Sequence, residues 1–173
     1  MIRPGYGLLL AALVAACGES SDTRREDEIR ASASNDEDLD ACTLLTSEEI
    51  QAAAGWTPDT AAGKTYGTTS TCAYHGPNAM EQSVVLVVAR PVPKMSSSAE
   101  LSKYRNEQAA RQPDFKMTIT PVEGLGVPAV SSELEGSGKP TIEAAVNGRL
   151  LGVTAPTVEV SKALVPKAAA RIP

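Results

Sequence analysis

The most constraining stretch of this chain is residues 141–155, where two apolar runs, Thr141–Val146 and Arg149–Ala155, flank Asn147-Gly148. Asn-Gly favours a two-residue type I′ turn, because both central residues must adopt φ > 0. The two runs are therefore expected to fold back on each other as an antiparallel hairpin. Other segments extend this reading. Thr68–His75 is rich in Thr and aromatic residues, which suit a pleated surface. Ser83–Ala89 is almost wholly apolar and reads as a central strand covered on both faces. Gly76-Pro77 and Asn78 mark the turn between these two strands. Phe115, Met117 and Ile119 alternate with Lys116, Thr118 and Thr120, the period-two pattern of a half-buried strand. Val127–Glu133 continues the sheet after Gly124 and Gly126.

Three helices punctuate the strands. Thr46-Ser47-Glu48-Glu49 is a capping box, with Leu45 and Ile50 placed for a hydrophobic staple and Gly55 for a left-handed stop. A helix over 47–54 follows. Ser97-Ser98-Ala99-Glu100 reads as a second capping box opening a helix to about Arg111, with Leu101, Tyr104 and Ala109 on one side and Pro113 beyond its end. The last helix runs from Thr157 or Val158 to about Arg171, and Pro166 is expected to kink or divide it. The order α-β-β-α-β-β-β-β-α predicts an α+β domain. It has a mostly antiparallel sheet of five to six strands, with two to three helices packed on one face or end.

The N-terminus is a different kind of sequence. Arg3 precedes nine apolar residues, Leu8–Ala16, and Cys17 follows: a cation, an apolar core and small residues before a boundary, the parts of an export signal. Nine residues span ~14 Å as a helix, about half of a ~30 Å hydrocarbon core, too short for a permanent membrane span. Val14-Ala15-Ala16-Cys17 resembles the lipobox of bacterial lipoproteins, which implies cleavage before Cys17 and diacylation of its thiol. An ordinary secretory signal with a coincidental Cys is the alternative. Lipidation is favoured because an unpaired exported thiol is reactive. The expected organisation is a signal peptide over 1–16, a lipidated Cys17 with an acidic tether to residue 41, and one domain over 42–173. The destination is the cell envelope, lipid-anchored on the extracytoplasmic side of a membrane.

The stretch Gly18–Ala41 holds nine acids and three bases, with Ile29 and Leu39 as its only large apolar side chains. Such a segment buries too little surface to offset its ordering entropy and reads as a solvated spacer. Its acids do not form a calcium loop, since no turn glycine or closing Glu follows at EF-hand spacing. Residues 42–173 carry twelve acids and twelve bases, so the domain is neutral, and the chain's net charge of −5 is the tether's −6 offset by Arg3. No basic footprint for nucleic acid is present.

Cys42 and Cys72 remain once Cys17 is set aside. An exported domain with two cysteines is expected to join them, and the bridge would pin the first helix to the first strand. A redox pair is the alternative, against which stands the 30-residue separation in place of Cys-x-x-Cys spacing. His75 is the single histidine. It lacks the companion ligands of a metal site, no Gly-x-Ser-x-Gly accompanies it, and it reads as a surface or turn residue. Gly124-Leu125-Gly126 lacks the third glycine of a dinucleotide fingerprint, and Pro128 stands where a helix should begin, so it reads as a turn. Trp56 is expected to serve as a lid on an aromatic-poor core, with an exposed contact as the alternative. No catalytic residue, metal site or cofactor is expected.

Cys42-Thr43-Leu44-Leu45-Thr46-Ser47-Glu48-Glu49-Ile50, together with Cys72-Ala73-Tyr74 and Pro121-Val122-Glu123-Gly124-Leu125-Gly126, resembles a widespread class of small bacterial lipoproteins over about residues 42–171. The domain that class shares has no assigned function. The resemblance implies an α+β domain, a Cys–Cys bridge and no known catalytic residue. Two function classes follow. One is a non-catalytic, membrane-anchored envelope module that binds a protein, a glycan or a small ligand. The other is a structural or stability factor in an envelope complex. An apolar pocket with a few convergent polar groups would favour the first class.

Overall fold

The computed structural model of the protein describes residues 39–89 and 91–173. The signal segment, Cys17 and most of the acidic spacer lie outside the described residues. Asp40 and Ala41, at the spacer's end, already belong to the fold. The Asp40 carboxylate accepts from Cys42 N at 2.9 Å and caps a 3-10 turn over Ala41–Thr43. Ala41 is fully buried, and its N–H donates to Ser70 Oγ at 3.0 Å.

The first helix forms as its local signals dictate. Helix α1 spans Ser47–Ala54; Thr46 accepts from Glu49 N, the Glu49 side chain accepts from Thr46 N, and Gly55 closes the helix at φ 80°. Strands β1 (Thr60–Tyr66), β2 (Thr69–His75) and β3 (Ser83–Ala89) follow. Helix α2 spans Ser98–Ala110, then come β4 (Met117–Val122), β5 (Ala129–Leu134), β6 (Thr141–Val146), β7 (Arg149–Thr154) and helix α3 (Val158–Ala169). All seven strands form one antiparallel sheet in the order β1-β2-β3-β7-β6-β5-β4. The β6–β7 hairpin turns at Asn147 (φ 48°) and Gly148 (φ 76°), the left-handed pair a type I′ turn requires.

The sheet has seven strands rather than five or six, because β1 carries no apolar pattern. All seven of its residues are exposed, so period-two alternation is absent. It is held by full pairing with β2 through a two-residue turn at Gly67-Thr68, where Gly67 has φ 56°. Phe115 lies outside the strand it was expected to open; β4 begins at Met117 and Phe115 is exposed.

Helices lie on both faces of the sheet, not on one. The main core takes Cys72, Tyr74, Leu86, Leu151, Val153, Ile142 and Ala144 from one face, with Leu44, Ile50, Leu164 and Val165 from α1, α3 and the turns before them. Alternation sends Val130 and Glu143, cross-strand partners on β5 and β6, to the other face. There α2 packs against β4 and β5. Leu101 and Val130 are fully buried but stand apart from the main core cluster, and Arg105 of α2 holds Glu143 by two hydrogen bonds, at 2.6 and 2.9 Å. Beyond α2, the same face at β1, β2, β3 and β7 has no helix packed on it among the described residues. Val85, Val87 and Ala89 are only half-buried. The expectation that β3 is covered on both faces fails here: the strand is central, but its second side is open.

Helix α3 passes through Pro166 undivided. The proline removes the N–H that would bond the Lys162 carbonyl, but both residues lie on the exposed side of the helix, where water can satisfy that carbonyl. The second capping box is half realised. Ser97 accepts from Glu100 N, while the Glu100 carboxylate reaches Ser96 N and Oγ at 2.7 and 3.0 Å.

The C-terminus is latched to the first helix. Arg171 donates to Leu44 O and Glu49 Oε2, both at 2.7 Å, and to Glu49 Oε1 at 3.0 Å. Arg171 is the first cause holding the Glu49 carboxyl below its usual range. A folded-state value below the unfolded one gives stabilisation that is present above the unfolded value of ~4.3 and is lost as pH falls through the lowered value. Arg171→Ala is therefore expected to lower the thermal midpoint at pH 7. The deficit should shrink steadily below about pH 4, checked by melting both proteins across pH 2.5–7. A deficit of the same size at both ends would show that the latch does not act through this ion pair.

Candidate functional site

A groove that joins apolar lining to a charged group lies at the end of the sheet marked by the β6–β7 turn. The loop after β3 carries Pro91 and Pro93, which cannot donate to a neighbouring strand. Between them Val92 N donates to Gly148 O at 3.0 Å and ties the loop to the hairpin tip. Across from it, Ala145 N donates to Pro128 O at 2.9 Å. Asn147 Nδ2 donates to Ile172 O at 3.0 Å, so the C-terminus braces the same tip. These three ties leave a groove of about 510 Å³ between two walls. Val92, Pro93, Lys94 and Met95 form one, and Ala145 to Gly148 the other, with Val127 between them.

The groove's size falls within the ~300–1,000 Å³ typical of small-ligand sites. Its lining is aliphatic, with one Met and no aromatic ring. Only two side chains in it carry polar groups. The Asn147 amide is engaged with Ile172. Lys94 is exposed and has no hydrogen bond or ion pair with any described residue, so its ammonium is the one uncommitted polar side chain. A neighbouring hollow of about 290 Å³ shares Val127 and is lined by Ser96–Ser98, Glu123, Gly124, Gly126 and Pro128. It is polar, and Glu123 is its only ionic lining group. Ser98 Oγ is committed there to the sheet, donating to Val122 O at 2.8 Å and accepting from Ala129 N at 3.2 Å.

The residues singled out on sequence are dispersed. Cys42 and Cys72 are bonded to each other, with Cα atoms 5.0 Å apart, and neither lines the groove. Cys17 lies outside the described residues. His75 ends β2 on the sheet's open side, with Nδ1 enclosed and without a hydrogen-bond partner among the described residues. Trp56 is half-buried against the main core and lies over Gly76, where an added Cβ would fall 2.8 Å from its Cε3. It is a lid, and Gly76 is what lets it close. Gly124 and Gly126 form the turn expected of them, at φ 84° and 75°. Among the described residues no group of three or more His, Cys, Asp or Glu could hold a metal ion, and no helix is long and apolar enough to cross a membrane.

Sequence reasoning did not find the groove. Its walls come from segments 92–95, 127 and 145–148, and the one motif among them, Asn147-Gly148, encodes a turn and not a site. The one available signal was the short Pro-Val-Pro-Lys-Met stretch, a loop unusually apolar for a connection. The chain matches no protein-family model and no curated protein.

Proposed function

We propose that the protein is an exported lipoprotein, anchored by acylated Cys17 on the extracytoplasmic side of a membrane, whose domain is a non-catalytic module binding a small ligand in the groove beside the β6–β7 turn. The observation that carries the reading is that groove: an apolar cleft of ligand size, braced by three hydrogen bonds, with a cation, Lys94, that has no partner among the described residues. A purely structural factor has no need of such a cleft.

The binding half is tested with Ala145→Trp, which places an indole in the groove from a half-buried position. Native protein extracted with solvent should release a small molecule detectable by mass spectrometry, and the Ala145→Trp protein should release at least ten-fold less. Equal yields from both, or none from either, would end the reading. The anchoring half rests on Val14-Ala15-Ala16-Cys17. Cys17→Ser should move the protein from the membrane fraction to the soluble one, and intact-mass analysis of the native protein should find a lipid on residue 17. An uncut, unmodified N-terminus would refute it.

A protein partner is a second reading, favoured by β1. Its outer edge has no strand neighbour among the described residues, and no proline interrupts its seven residues. Such an edge accepts an added strand from another chain.

A further inference from the structure

We propose that the occupant of the groove is a long-chain monocarboxylate, a free fatty acid, lying with its chain along the aliphatic walls and its carboxylate on Lys94. The inference rests on the groove reading and names its ligand class.

Three features select that class. The first is the lining. Val92, Met95, Val127 and Ala145 offer methyl, methylene and thioether surface with no ring to stack on, which suits a flexible chain. The second is the shape. Ala145 is cross-strand from Leu150, and Leu150 is cross-strand from Ala89. Both neighbours are half-buried on the sheet's open side. The apolar surface therefore runs out of the groove along the strand rows, which an extended chain can follow and a compact ligand cannot. The third is charge. Among the described residues, Lys94 supplies the lining's one positive charge and no lining residue is negative, so a single anionic head is matched. A doubly charged phosphate head would carry an unmatched charge beside Glu123 of the adjoining hollow. A cationic head would face the ammonium directly.

The test uses the native full-length protein in its own membranes, with two photoactivatable probes. They carry the same diazirine-bearing sixteen-carbon chain and differ only in the head, carboxylate or primary amine. After irradiation, labelled peptides are mapped by mass spectrometry. The carboxylate probe should label the peptides carrying Val92–Met95 and Val127, at least five-fold more than the amine probe does. Ala145→Trp should reduce that labelling at least ten-fold. Lys94→Glu should reverse the preference between heads, with the thermal midpoint unchanged to show that the fold is intact. Labelling confined to other peptides, or carboxylate labelling indifferent to Ala145→Trp, overturns the inference. Equal labelling of the groove by both probes, unchanged by Lys94→Glu, overturns the carboxylate while leaving the groove as a binding site. A groove that neither probe labels, but whose native ligand is still lost in Ala145→Trp, overturns the fatty acid alone.

Discussion

Arg105→Ala is expected to destabilise the domain by about 3 kcal/mol, the low end of the cost of orphaning one member of a buried ion pair. The Glu143 carboxylate lies on the inner side of α2, where its side chain keeps 11% of its exposure and that of Arg105 19%. Both Glu143 oxygens accept from the same guanidinium. Removing the arginine leaves a negative charge between Val130 and Gly152, its cross-strand neighbours, with little water in reach. Helix α2 has little else to hold it. Leu101 is its one fully buried apolar side chain, and Ser98 adds the two hydrogen bonds to the β4–β5 ends. A domain of this size should lose about 10 °C in midpoint for that cost. The paired change Arg105→Met with Glu143→Leu, which removes both charges, should recover most of it, because the buried pair itself contributes little beyond an apolar replacement. The measurement is a double-mutant cycle by chemical denaturation. A loss below about 1 kcal/mol for Arg105→Ala, or strict additivity of the two single changes, would mean that water reaches Glu143 freely and the pair is a surface one.

That pair also shows where sequence reading stops. Arg105 and Glu143 are 38 positions apart, and neither sits in a pattern that distinguishes it from the other acids and bases. What was legible was local. Thr46 with Glu49, Gly55, Asn147-Gly148 and the alternation of Met117 and Ile119 each encode their geometry within a few residues, and each took the form expected of it. What was not legible depended on tertiary neighbours. β1 is Thr-Ala-Ala-Gly-Lys-Thr-Tyr, a strand made by its pairing and not by burial, and the two-residue Gly67-Thr68 turn was its only local sign. The apolar run of β3 reads the same whether its second side meets a helix or stays open. Pro166 leaves its helix whole here because the freed Lys162 carbonyl lies on the exposed side, which the helix's own sequence does not announce. The groove is a product of topology: β6, β7, the loop after β3 and the turn before β5 meet because the sheet brings strands distant in sequence together at that end.

Removing the disulfide, by Cys42→Ala with Cys72→Ala, is expected to cost about 3.5 kcal/mol, because the bridge closes a loop of some 31 residues in the unfolded chain. The native contacts around the bridge set where the loss appears. Three links join the entry of α1 to β2: the bridge, the Ala41 N–Ser70 Oγ bond, and the Tyr74 hydroxyl, whose proton is shared between the carbonyls of Cys42 and Leu45 at 2.9 and 3.2 Å. The two that remain order residues 41–45 locally but close no covalent loop. Beneath them lies β1, where an added Cβ on Gly63 would sit 3.1 Å from Cys42 Sγ. The 3-10 turn that the bridge holds is thus, among the described residues, the main support that this exposed edge strand has besides β2. In hydrogen exchange, amides of residues 60–66 and 41–46 should lose protection first in the double variant, while β3, β6 and β7 stay protected to the global limit. Cys72 is fully buried, so a reductant meets the bridge through Cys42. The same exchange pattern should therefore appear in the wild-type protein only after its disulfide is reduced. A stability loss under about 1 kcal/mol would mean that the unfolded chain already holds these segments together. Uniform loss of protection across all seven strands would mean that β1 is not a separable edge but part of one cooperative unit with the core.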